Sequence, residues 1–179
     1  MIFIGSKHPV YVCFGGPNHV LNLVSLPVQM RAAPKKVNND MKGVLTIVLT
    51  RCADLPIVNG SCDSFVELKI TDPEQTLPDI RRTEVVYNET SPKFRLKFDF
   101  VYISATSMLT ATVYDRPKLL DMSSILKPFG KEDIPLGKVR IPIKDVVKAG
   151  RVKDAFPLQE AEQGDIHLTL EWTSVERDN

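Results

Sequence analysis

The 179-residue sequence has little cysteine, few aromatic residues and no surplus of either charge. Its three cysteines, Cys13, Cys52 and Cys62, are too few and odd in number for a disulfide framework, so reduced thiols in a cytoplasmic setting are expected. Lys and Arg number 23 against 22 Asp and Glu, for a net charge of +1. A nucleic-acid-binding domain carries a strong basic excess, and none exists here. No run reaches the about 18 apolar residues that a spanning helix needs; the longest, Val10–Phe14, stops at Gly15 and Gly16. The apolar start Met1–Ile4 has no basic stretch before it and no small-residue cleavage site, so no secretory leader is expected. A Gly-rich phosphate loop, a nucleophile elbow and a zinc motif are also missing, and His8, His19 and His167 have no acid or cysteine at catalytic spacing. The sequence therefore predicts no enzyme. With 43 % hydrophobic and 25 % charged residues, it does read as a folded globular chain rather than a disordered one.

What is present divides near residue 41. Residues 1–40 carry Lys7, Arg31, Lys35 and Lys36 against Asp40 alone, and prolines at 9, 17, 27 and 34 interrupt them. Neither strand nor helix periodicity survives there, so residues 1–41 read as an extended or poorly ordered segment. Residues 42–173 read as one domain and 174–179 as a tail.

Within the domain the period of two repeats segment after segment. Val44–Arg51 is β-branched and aliphatic. In Phe65–Ile70, Val66, Leu68 and Ile70 oppose Glu67 and Lys69. Phe94, Leu96, Phe98 and Phe100 alternate with Lys93, Arg95, Lys97 and Asp99. Leu109, Ala111 and Val113 alternate with Thr110, Thr112 and Tyr114; Val139, Ile141 and Ile143 with Lys138 and Arg140; Ile166, Leu168, Leu170 and Trp172 with His167, Thr169 and Glu171. Short strands near Arg82–Tyr87 and Ala155–Leu158 bring the number to eight, and Ile143–Ala149, stopped by Gly150, reads as one short helix. Eight strands with one polar face each predict an all-β, antiparallel, eight-stranded sandwich.

Several stretches, in order, resemble the C2 domain, most of all the C2 domains of plant synaptotagmins and extended synaptotagmins. Gly43–Val48 followed by Asp54, Leu55 and Pro56 is similar to the family's first strand and loop. Asp63, Ser64, Phe65 and Val66 resemble its Asp-Pro-Tyr/Phe-Val. Asn88–Phe100 resembles Asn-Pro-x-Trp-(x)3-Phe-x-Phe, with Phe94 in place of Trp. Leu109, Val113, Tyr114 and Asp115 match the approach to the third loop, and Gly164–Trp172 the closing strand.

The resemblance implies a Ca²⁺ site built from loop carboxylates, since Ca²⁺ takes six to eight hard oxygen ligands. The positions that correspond are Asn59, Asp63 and Asp115, with Glu132 and Asp133 later. Asn59 and Pro117 stand where the family has aspartates, which predicts weak Ca²⁺ binding or none; in the plainer reading, Asp63 and Asp115 bond loop amides. The resemblance also implies phosphoinositide binding on a basic face, for which Lys69, Arg81, Arg82, Lys93, Arg95 and Lys97 are candidates. Each trio is expected on a single face, with protection of a strand edge as the alternative reading. Membrane-inserting tips would be Ile57 and Val58 in the first loop and Leu119, Leu120, Met122 and Phe129 in the third. The spacing of the third-loop residues equally suits a helix packed on the sandwich. Together these predict a cytoplasmic, membrane-peripheral module for anionic phospholipids or phosphoinositides. The alternative is a protein-interaction scaffold on a degenerate C2 sandwich.

Overall fold

Strand alternation separates an aliphatic face from a polar one, and two such faces meet in this domain. The computed structural model describes residues 41–58, 60–116 and 132–175. Among them run β1 (Lys42–Ala53), β2 (Ser64–Thr71), β3 (Asp79–Arg82), β4 (Lys93–Ser104), β5 (Met108–Asp115), β6 (Ile134–Pro142), α1 (Ile143–Ala149), β7 (Arg151–Pro157) and β8 (Asp165–Ser174). They form two antiparallel four-stranded sheets, in the orders β4–β1–β8–β7 and β3–β2–β5–β6. Leu45, Ile47 and Leu49, with Ile166, Leu168 and Leu170, line the inner face of the first sheet. Val66, Leu68 and Ile70, with Leu109, Ala111 and Val113, line that of the second, and all are buried. Each buried Val, Leu or Ile side chain contributes roughly 1.5–3 kcal/mol relative to exposure. The helix α1 adds Ile143, Val146 and Val147 and ends at Gly150, whose φ of 74° lets its amide reach the Val146 carbonyl at 2.8 Å. The expected sandwich and short helix are both present.

Two local features differ from the reading of the sequence. The third strand lies at Asp79–Arg82, upstream of the expected Arg82–Tyr87. The reason is Thr83: its amide still reaches the Val66 carbonyl at 3.0 Å, but its Oγ1 accepts the Val66 amide at 3.0 Å in place of its own carbonyl, and pairing with β2 resumes at Val86, opposite Ser64. Secondly, β4 is an edge strand, so its inward side chains are unevenly covered. Phe100 is buried, but Phe94 and Phe98 are half-buried and Leu96 is 38 % exposed. Trp172 is half-buried too, and lies so close over Gly43 that a Cβ there would overlap its indole.

The expected segment 1–41, apart from Met41, and the third-loop tip with Leu119, Leu120, Met122 and Phe129 lie outside the described residues, as does Asn59. The last strand runs on to Ser174.

The two sheets are also tied at one end by a buried carboxylate. Asp72, just after β2, accepts the Glu74 amide at 2.9 Å and the Ser104 amide at 3.2 Å, and lies 3.7 Å from Lys42 Nζ. It thereby joins the end of β2 to the end of β4 and the start of β1. Burial alone would raise its pKa; the two amides and the Lys42 ammonium outweigh that and hold the carboxyl below its ordinary 3.8. A lowered folded-state pKa means that Asp72 stabilises the fold fully above pH 3.8, and that this contribution is lost as pH falls through the folded value. Asp72→Ala should cost about 3 kcal/mol in denaturant unfolding at pH 7, because it strands two amides. The gap between variant and wild type should narrow in the same measurement at the acid end.

Candidate functional site

The loop end of the sandwich gathers most of the candidate carboxylates. Asp63 sits just before β2 and Asp115 closes β5, and the pairing of Ser64 with Asp115 brings them together. Both are buried, at 0 % and 1 % exposure. Asp115 Oδ1 accepts the Asp63 amide at 2.7 Å, and Asp63 Oδ1 accepts the Asn88 amide at 2.8 Å. The Asp63 carbonyl accepts the Arg116 amide at 2.8 Å. These bonds link the connections after β1, β3 and β5 into one unit. Glu132 is exposed, and Asp133 accepts the Arg116 guanidinium at 3.2 Å.

Among the described residues no three of His, Cys, Asp and Glu stand together as a metal site. Two carboxylates that each give an oxygen to an amide, and a third bound to arginine, do not by themselves fit the six to eight oxygens Ca²⁺ takes. The nearby thiols of Cys52 and Cys62 are both buried. Burial first, then the charges of Asp115, Asp63 and Glu89, push Cys62 up, while burial pushes Cys52 up to about 12. In the first loop Ile57 is 65 % exposed, whereas Val58 is half-buried and exchanges backbone bonds with Ser61.

The basic candidates do not gather as expected. Lys69 lies opposite Ile80, Leu68 opposite Arg81, and Glu67 opposite Arg82. Arg81 therefore takes the inner side of its sheet, where its guanidinium stands 5.8 Å from the centroid of the Phe100 ring. Lys69 and Arg82 share the outer side, but Arg82 is bound to Glu67 at 2.6 Å. Consecutive residues of a strand take opposite faces, so Arg81 and Arg82 within β3 are separated. Lys93 and Lys97 belong to the other sheet, on its outer face, with Lys97 paired to Asp99 at 3.1 Å. Arg95 is exposed at a register slip with φ 54°. The two trios thus lie on opposite sides of the sandwich, and Arg81 on neither outer face.

What the outer face of the second sheet does assemble is a trough of about 380 Å³. Lys69, Thr110, Thr112, Tyr114, Lys138 and Arg140 line it, with Glu67 and Glu160 at its sides. Lys138 stands opposite Thr112, and Arg140 opposite Thr110, which itself faces Lys69. Glu67 is taken by Arg82 and Glu160 by Lys138 at 2.6 Å. That hydrogen bond from Lys138 and the charges of Lys138 and Arg140 hold the Glu160 carboxyl below its ordinary range. Lys69 and Arg140 make no ion pair among the described residues. Towards Tyr114 the face ends in an aromatic stack, Phe65 on Tyr114 at 5.2 Å, covered by the Arg116 guanidinium. Lys138 and Arg140 were not among the sequence candidates. Their alternation with Val139 and Ile141 marks them as outward, but only the order β2–β5–β6 puts them beside Lys69.

Comparison with known proteins follows the same outline. The model of the C2 domain family matches residues 43–158. A search of curated proteins gave no match. Among solved structures, the chain is similar to a single C2 domain of a plant extended synaptotagmin 1, with a TM-score of 0.60 and 17 % identity over 75 % of this chain and 97 % of that one. It is similar to the calcium-bound pair of C2 domains of extended synaptotagmin 2, with a TM-score of 0.60 and 24 % identity over 76 % of this chain and 48 % of that one. A human GIVD cytosolic phospholipase A2 gives a TM-score of 0.59 at 16 % identity, over 78 % of this chain and 18 % of the enzyme. The chain thus spans about half of the two-domain protein and a small part of the enzyme. At these identities the likeness is one of fold. The match of the family model over most of the chain is what carries membership: this protein belongs to the C2 domain family.

Proposed function

We propose that this C2 domain docks peripherally on anionic membranes through the outer trough of its second sheet, with Ca²⁺ contributing little. The observation that carries the reading is the pair Lys69 and Arg140, two cations that make no ion pair among the described residues, in a concave face rich in hydroxyl donors. Lysine and arginine near an anionic surface are each worth roughly 1 kcal/mol, and arginine adds bidentate bonds to phosphate. Lys138 and Arg82, already neutralised by Glu160 and Glu67, add less field. Among the described residues no helix is long and apolar enough to cross a membrane. The exposed Ile57 is a candidate for shallow insertion beside it.

Little help from Ca²⁺ follows from the same chemistry. Asp63 and Asp115 already serve backbone amides, and Asn59 offers no charge where the family resemblance calls for a carboxylate. Calorimetry should find Ca²⁺ binding no tighter than about millimolar, the weak end for oxygen-ligand sites. A micromolar constant would overturn this and draw Glu132 or Asp133 into the shell.

The docking face is tested by Lys69→Ala with Arg140→Ala. Co-sedimentation with phosphoinositide vesicles should weaken by about 30-fold, from roughly 2 kcal/mol, with the melting temperature kept. Wild-type binding should also fall steeply as salt rises. If the double variant sediments as wild type does, docking runs through another surface, and a protein-binding role becomes the better reading.

A further inference from the structure

The outer face of the first sheet carries a second set of cations, and a slip in β1 places them. Leu45, Ile47 and Leu49 face inward, so strict alternation would turn Arg51 inward as well. Between Leu49 and Arg51 the register shifts: β1 spends two steps where β8 takes one, from Leu168 to His167. Thr50 is the extra residue, and Arg51 comes out on the polar side. It then stands in one rung with Lys93 of β4 on one flank and His167 of β8 on the other. The next rung outward-facing along the sheet holds Lys97, Val48, Thr169 and Lys153.

The carboxylates of this face are already engaged. Asp99 accepts Thr46 Oγ1 at 2.6 Å and pairs with Lys97. Glu171 pairs with Arg151 at 3.1 Å. Asp154, at the rim, gives an oxygen to the Ala155 amide. Arg51, Lys93 and Lys153 make no ion pair among the described residues. Like charges directly opposite on neighbouring strands are destabilising, so the Lys93–Arg51 rung costs the fold something unless an anion lies over it. Beside it, Thr50, Lys153, His167 and Thr169 line a cleft of about 380 Å³, with the Asp154 carboxylate also in its wall.

We infer that Arg51, Lys93, His167 and Lys153 form a second anion site, which takes a soluble, multiply phosphorylated small molecule. Three donors from three adjacent strands, roughly 5 Å apart, can converge on one phosphate group. The rung with Lys153 lies roughly 7 Å further along the strands, the reach of a second phosphate in the same molecule. The choice of a soluble ligand rests on the proposed membrane face. With the second sheet on the bilayer, this face points away from it, and its ligand comes from solution.

Inorganic triphosphate is the probe, with binding read by calorimetry and thermal shift. Wild type should bind it and melt higher in its presence. Arg51→Gln with Lys93→Gln should weaken binding by about tenfold for each cation removed. That variant should melt no lower than wild type without triphosphate, and should sediment with phosphoinositide vesicles as wild type does. Lys153→Gln, one rung away, should weaken binding by about tenfold alone. Lys69→Ala with Arg140→Ala should leave triphosphate binding intact. Equal triphosphate affinity in wild type and in the Arg51/Lys93 variant would overturn the site, as would no binding by wild type at millimolar probe. Loss of vesicle binding in that variant would also overturn it, by making this the membrane face. If instead the Lys69/Arg140 variant keeps its vesicle binding while the triphosphate results hold, only the membrane-face reading falls.

Discussion

Every polar residue on this domain is placed by the meeting of two aliphatic rows, Leu45, Ile47 and Leu49 on one sheet and Val66, Leu68 and Ile70 on the other. Because side chains alternate strictly along a strand, burying one row forces its neighbours outward, and a slip of a single residue would exchange the two. Thr46 and Val48, or Glu67 and Lys69, therefore have no choice of face. At roughly 1.5–3 kcal/mol for each buried aliphatic chain, the rows together outweigh any single ion pair on the surface, which is worth at most about 1 kcal/mol. The charges thus follow the core. The cost of crowding cations on one face is tolerated because the register is fixed elsewhere.

The departures from alternation matter for the same reason. A strand bulge re-aims everything beyond it. In β1 the bulge at Thr50 turns Arg51 out and Cys52 in. In β4, Arg95 and Tyr102 adopt φ values of 54° and 61° where the register against β1 slips. At the loop end a different device operates. Asp63 and Asp115 bind backbone amides, which fixes the connections to one another at the expense of oxygens available to an ion. Carboxylates used in this way tie the three connections to one another.

How much of this is legible in the sequence depends on which neighbour a statement needs. Alternation within one strand assigns faces, so Lys69, Lys97, Lys138 and Arg140 all read as outward from their own segments. The inward side of Phe94, Phe98 and Phe100 reads equally well. Their depth does not, because whether a strand is an edge depends on sheet order. The inner position of Arg81 was hidden for a local reason: consecutive strand residues take opposite faces, and a strand of four residues shows too little periodicity to tell which of Arg81 and Arg82 is outward. The trough beside Lys69 was hidden because β6 reaches β2 only through β5, a pairing that no short-range pattern encodes. The family resemblance supplied the loop carboxylates, but not the amides they serve.

The near-zero net charge of the whole chain conceals this arrangement, since what a ligand meets is the local field. Stacked sheets lie roughly 10 Å apart, and the outward side chains add several ångströms on each side. The screening length at physiological ionic strength is about 8 Å. Cations on the two outer faces, Lys69 and Arg140 on one, Arg51 and Lys93 on the other, are therefore further apart than their fields extend through solvent. Each face can attract an anion without competing with the other, and a substitution on one leaves the potential of the other nearly unchanged. A sandwich is suited to this. Its two stacked sheets set the outer faces far apart, and alternation keeps the outward cations of each sheet on their own face.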